Sequence, residues 1–181
     1  MDQLINKSVY ENRHLGSSTL CTLMIDSAAP IVKTGNIGDS GYIKLRKEGL
    51  DLILKHQSNP QWHNFNFPFQ VGTSGDDPSC ADFEEHIVKD KDIFLVATDG
   101  LWDNLYLPSI LDILRPFIRK SDDLLDPELI VEILGKEAEK FSNMVSYRSP
   151  FAKQASRYFS DYDGGKIDDI TIILAQVNLN K

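Results

Sequence analysis

The chain has 181 residues, 41% of them hydrophobic and 25% charged. This is an ordinary globular mix that suits one domain and excludes a large multidomain machine or a disordered chain. Nineteen Lys and Arg against 27 Asp and Glu give a formal charge of -8, so no net cationic field attracts nucleic acid or an anionic membrane surface. The two cysteines, Cys21 and Cys80, make no disulfide framework, and with four scattered His they make no zinc site. Cys21, inside an apolar run, reads as a buried and inert thiol. No apolar run is long enough to cross a bilayer, and MDQLINKSVYENRH at the start reads as neither a signal nor a transit peptide.

In chain order, residues 2–13 read as a short helix. After the Gly-Ser turn of HLGSSTL, TLCTLMID is a buried strand. Residues 27–30 turn, and 31–34 resume a strand that Gly35 interrupts. Residues 41–46 alternate apolar and polar, the period of a strand with one wet face. Lys47, Glu48 and Gly49 turn into a returning strand, LDLILKH. Residues 57–81 are rich in Asn, Pro, Gly and aromatics, and read as a long loop packed on the body. The apolar run 92–98 is a strand ending at Asp99-Gly100. Helices follow at 108–119, at 127–141 with Asp126 as cap and Pro127 at its first position, and at 150–159. After the Gly164-Gly165 turn comes a last apolar strand, 170–177. Strands, then helices, then a strand indicate an α+β layered domain.

Aspartates recur where turns meet strands: Asp39, Asp99, Asp103, Asp168 and Asp169. Asp99 closes one apolar strand and Asp168 opens another, so the two are expected at one sheet edge. Carboxylates brought together repel unless a cation neutralises them, and magnesium or manganese favours such oxygen-rich sites. Such metals bind phosphate oxygens and activate water toward phosphorus. The plainer role of each Asp, in a turn or capping backbone amides, stands beside this one.

Four motifs occur in one order: Gly16-Ser17-Ser18-Thr19, Gly38-Asp39-Ser40-Gly41, Ala97-Thr98-Asp99-Gly100-Leu101-Trp102-Asp103-Asn104 and Gly164-Gly165-Lys166-Ile167-Asp168-Asp169-Ile170-Thr171. Together they resemble the PP2C-type (PPM) metal-dependent protein serine/threonine phosphatases. QWHNFNFPFQ at 61–70 and Ser149-Pro150-Phe151-Ala152 resemble that family's PTC7-like mitochondrial and organellar branch. The resemblance implies an α/β/β/α four-layer sandwich spanning residues 1–181 as a single domain. It also implies hydrolysis of phosphoserine and phosphothreonine on a phosphoprotein substrate, by metal-activated water and without a covalent enzyme intermediate. Two Mg2+ or Mn2+ ions are expected in a complete domain. Asp99 and Asp168 match ligands of one of them. Asp39 and Asp103 match residues associated with a weaker third ion, and Asp169 sits beside a ligand and is expected to orient or cap. No catalytic group beyond these ligands is implied.

The resemblance also implies that this chain is the C-terminal two thirds of the usual domain. The segment carrying the family's bridging Asp is absent. Impaired metal binding and weak or no activity are therefore expected, with a partner supplying the missing segment as one remedy. A catalytically dead PP2C-like binding or regulatory module is the alternative reading. The resemblance implies a mitochondrial or plastid location, and a chain truly starting at Met1 would be cytoplasmic. No nucleic-acid partner and no membrane insertion are expected.

Overall fold

A computed structural model describes residues 15–26, 28–118 and 121–179. The helix expected at 2–13 lies outside these residues. The strands in chain order are β1 (Ser17–Ser18), β2 (Leu20–Ile25), β3 (Ile31–Ile37), β4 (Gly41–Glu48), β5 (Asp51–Gln57), β6 (Trp62–Asn64), β7 (Phe67–Pro68), β8 (Val71–Gly72), β9 (Asp82–Ile87) and β10 (Ile93–Ala97). Four helices follow, α1 (Asp99–Trp102), α2 (Leu107–Ile118), α3 (Pro127–Ser142) and α4 (Pro150–Ala155), and then strand β11 (Ile172–Gln176). The chain forms two compact units. The first holds residues up to Gly41 with Ser58–Val88, and the second holds Tyr42–Gln57 and everything from Lys89 on.

In the first unit β2, β3 and β9 form an antiparallel sheet with β3 in the middle. Gly35 does not interrupt β3, because it lies between Thr22 and Phe83 in the ladder and is bonded as a strand residue on both sides. The stretch 57–81 folds onto this unit as β6–β7, as β8 paired with β1, and as a 3-10 turn at Pro78–Cys80. Gln61 fixes it: Gly38 N–H donates to its Oε1 at 3.1 Å, and its Nε2 donates to the Cys80 carbonyl at 2.9 Å. The packed loop read from the sequence is therefore ordered by backbone pairing and one amide side chain.

The second unit is a four-stranded sheet in the order β11-β10-β4-β5 with the helices. Its core joins Ile43, Leu45 and Leu52 with Ile93, Leu95 and Ala97 and with the buried faces of α2 and α3. Ile110, Leu114 and Ile118 recur every four residues on α2, and Ile130, Leu134 and Ala138 do so on α3. Spacing of i, i+4 keeps them on one helix face.

Several local readings need correction. Strand β4 has no wet face: Lys44 is only 6% exposed and its ammonium lies 3.5 Å from the buried Asp92 carboxylate. A central strand hides a lysine when an acid meets it. Asp126 does not cap α3 through its side chain; its backbone is left-handed, at φ 53°. The helix expected at 150–159 ends at Ala155, beyond which i→i+3 bonds from Arg157 to Gln154 and from Tyr158 to Ala155 tighten the chain into turns. Asp99 does not simply end a strand, since it starts the one-turn helix α1. Asp168 lies in an irregular stretch, four residues before β11 begins.

Candidate functional site

The site grows from the end of β10 and the stretch that leads into β11. These strands pair antiparallel from Ile93↔Gln176 to Ala97↔Ile172, which brings residues 98–99 alongside 168–171. Thr98 extends the pairing beyond the strands. Its N–H donates to the Thr171 carbonyl at 3.1 Å, its Oγ1 accepts from Thr171 N–H at 3.0 Å, and that hydroxyl donates to the Asp169 carbonyl at 3.0 Å. Gly100 allows this closeness, because a Cβ there would stand 2.4 Å from the Asp169 carbonyl oxygen.

A second clamp holds the turn before Asp168. Asn104 is fully buried. Its Nδ2 donates to the carbonyls of Gly100, at 3.0 Å, and Lys166, at 2.8 Å, while its Oδ1 accepts from Lys166 N–H at 2.9 Å. Gly165, just before Lys166, sits against the end of α3, where a Cβ would meet the Phe141 carbonyl oxygen at 2.1 Å. Ser149 caps α4 by accepting from Ala152 N–H at 2.9 Å, and its hydroxyl donates to the Gly164 carbonyl at 2.6 Å. Phe151 N–H donates to the Asp103 carbonyl at 3.0 Å.

These clamps bring three carboxylates to one point. Lys166 Nζ lies 2.5 Å from Asp99 Oδ2, 2.9 Å from Asp103 Oδ2 and 3.0 Å from Asp168 Oδ2. Its side chain is 17% exposed, and the ammonium lies 5.4 Å from the centre of the Phe151 ring. Burial disfavours the lysine's charge, but the charge of Asp103 and the hydrogen bond to Asp99 outweigh it and hold the pKa well above the usual lysine range.

Of the five aspartates singled out from the sequence, the structure therefore brings together Asp99, Asp103 and Asp168. Asp168 Oδ1 also accepts from Asp169 N–H at 2.9 Å. Asp169 serves the site through its backbone carbonyl, and it lines a cavity of about 480 Å³ beside α3 together with Asp168, Glu128, Glu132 and Glu139. Asp39 belongs to the first unit, where its Oδ2 accepts from Trp62 Nε1 at 3.3 Å. On β9 of that unit, Glu84 and His86 share a face, with Oε2 and Nε2 3.8 Å apart. Sequence reasoning passed over Lys166 and Asn104, although both stand inside the quoted motifs. A lone Lys two residues before Asp168-Asp169 was the available signal.

Three oxygen donors converging on one cationic centre is a donor set suited to a hard divalent ion such as Mg2+ or Mn2+. The charge these oxygens meet in the folded chain is the Lys166 ammonium.

No protein-family model matches the chain. The X-ray structure of the photosystem II phosphatase PBCP superposes on it with a TM-score of 0.84, at 25% identity, over 98% of this chain and 70% of that one. The chain has the fold of the PP2C-type phosphatases. It is an α+β sandwich fold of mixed sheet and helix. Sequence relatives of this PP2C type agree. The probable protein phosphatase 2C 62 of Arabidopsis thaliana is 31% identical over 178 residues, 98% of this chain and 23% of its own length. The protein phosphatase PTC7 homolog fig of Drosophila ananassae is 37% identical over 180 residues, 92% of this chain and 52% of its own length. The chain thus spans about half the length of the PTC7-type relative, and less of the plant one. Relatives named as protein phosphatases and the fold therefore agree on what this chain is similar to. Among the described residues no helix is long and apolar enough to cross a membrane.

Proposed function

We propose that the protein containing this chain is a metal-dependent phosphatase of the PTC7-like branch that hydrolyses phosphoserine and phosphothreonine on protein substrates. The observation that carries this reading is the convergence of Asp99, Asp103 and Asp168 within 2.5–3.0 Å of one cationic centre. Asp99 and Asp168 would hold Mg2+ or Mn2+, with Asp103 alongside. The ion, when bound, supplies Lewis-acid chemistry that activates water toward phosphorus.

The chain's own residues do the rest. The Thr98 and Asn104 clamps fix the backbone on both sides of the carboxylates, so the ligand oxygens are ordered before any ion arrives. Gly100 and Gly165 let the supporting segments approach without a side chain between them. Asp168 is oriented by the Asp169 N–H.

A second reading, a PP2C-like binding or regulatory module without turnover, is favoured by Lys166, whose ammonium already engages all three carboxylates. One experiment separates them. The chain is assayed with millimolar Mn2+ against a phosphothreonine peptide, beside Asp99→Asn and Asp168→Asn. Phosphate release that needs the metal and is lost in both variants supports the phosphatase. A cooperatively folded chain with no release sinks that reading for this chain and leaves the binding module.

A further inference from the structure

The phosphatase reading gives Lys166 no task. Yet its ammonium has three N–H donors and meets three carboxylates, at 2.5, 2.9 and 3.0 Å. Its backbone is held at both N–H and carbonyl by the fully buried Asn104, so the stem starts from a fixed place. Asp99 and Asp103 are both largely buried, with side chains 22% and 14% exposed. Asp168 is the open side of the cluster, at 36% exposed, so water screens it in part, but three like charges around one point still repel unless a cation sits among them. The same chain supplies that cation.

We propose that Lys166 is a built-in counter-ion that holds the place of the divalent metal at Asp99, Asp103 and Asp168, so that metal binding there is an exchange: the ammonium leaves as the ion enters. The inference rests on the metal-dependent reading above. Three carboxylates and one ammonium carry a formal charge of -2, and without the lysine the cluster carries -3. The lysine therefore lets the apo chain fold and weakens the metal, because every ion must displace it. Occupancy then depends on how easily Lys166 swings away, a two-state element on which metal concentration acts.

The test uses the full chain, Lys166→Met, which keeps a long stem without charge, and Lys166→Arg, which keeps the charge. Mn2+ binding is followed by calorimetry, and melting is followed in chelator and in Mn2+. Removing the competitor should tighten Mn2+ binding by about tenfold or more. Lys166→Met should melt lower than wild type in chelator and recover with Mn2+, while Lys166→Arg stays within about threefold of wild-type affinity. Equal Mn2+ affinity in wild type and Lys166→Met, or a chelator-induced loss that Mn2+ does not restore, overturns the exchange and leaves the metal site standing. Failure of all three proteins to bind millimolar Mn2+ overturns the metal reading itself, and the exchange with it. The wild-type chain gives a check that does not depend on a variant folding. Lysine acetylation mapped by mass spectrometry should find Lys166 protected without metal and labelled several-fold faster with saturating Mn2+. Labelling that metal leaves unchanged refutes the exchange.

Discussion

Replacing Asn104 by Ala tests whether the site is held by one buried amide. The side chain makes three hydrogen bonds of 2.8–3.0 Å, to the Gly100 and Lys166 carbonyls and from Lys166 N–H. All three are lost together. At about 1 kcal/mol each the change costs roughly 3 kcal/mol, because the backbone groups left behind are shielded from water. For a chain of this size that lowers the melting temperature by about 6–12 °C. Thermal and urea unfolding followed by circular dichroism give the number. Asn104→Asp, which keeps the shape but replaces the donor by an acceptor, should lose at least as much. A melting temperature within about 2 °C of wild type for Asn104→Ala would refute the argument, since the clamp would then contribute nothing measurable.

Asp92 is buried among Arg46, which donates at 2.6 and 2.7 Å, Lys44 at 3.5 Å and the Lys89 N–H at 2.9 Å. Burial pushes its pKa up, but the Arg46 hydrogen bonds outweigh this and hold it below the ordinary 3.8. Its contribution is therefore complete above pH 3.8 and is lost as pH falls through the lower folded value. Asp92→Asn should be less stable at neutral pH and show a shallower loss between about pH 4 and 2, and pH–stability curves parallel to wild type would contradict this. Gly165→Ala would place a Cβ 2.1 Å from the Phe141 carbonyl and 2.5 Å from Ser142 Cα. It should destabilise by about 1–3 kcal/mol in urea unfolding, and a neutral effect would show that the turn can move away from α3. Burial pushes the Cys21 thiol up to about 12, whereas Cys80 is exposed. Cys21 is half-buried rather than fully buried, so a thiol reagent at pH 8 should label Cys80 faster than Cys21 in the native chain and both alike in urea, and equal native rates would contradict the raised Cys21 pKa.

Much of this was legible in the linear chain because it depends on short-range patterns. The apolar runs at 20–25, 93–97 and 172–176 are strands where expected, though the first is not buried, with Met24 and Ile25 exposed; Pro108 places α2 and the apolar stripe places α3 within a residue or two. The motifs around Asp99 and Asp168 also marked three acids, Asp99, Asp103 and Asp168, that the fold brings together. Local pattern misled where a distant partner changes the meaning of a residue. Lys44 reads as solvated until Asp92 is found against it. Gly35 reads as a break until two neighbouring strands pair across it.

The sequence by itself determined the element types, the fold class and which acids to watch. Tertiary structure decided which acids meet. Asp99 and Asp168 are 69 positions apart in the chain, and they share one point because β10 pairs with β11 in a register that Thr98 prolongs. It also decided where Lys166 sits. No spacing rule says that a lysine will reach 63 to 67 residues back to Asp103 and Asp99. That placement comes from the Asn104 clamp on the Lys166 backbone and from the β10–β11 pairing, which exist only once the chain has folded.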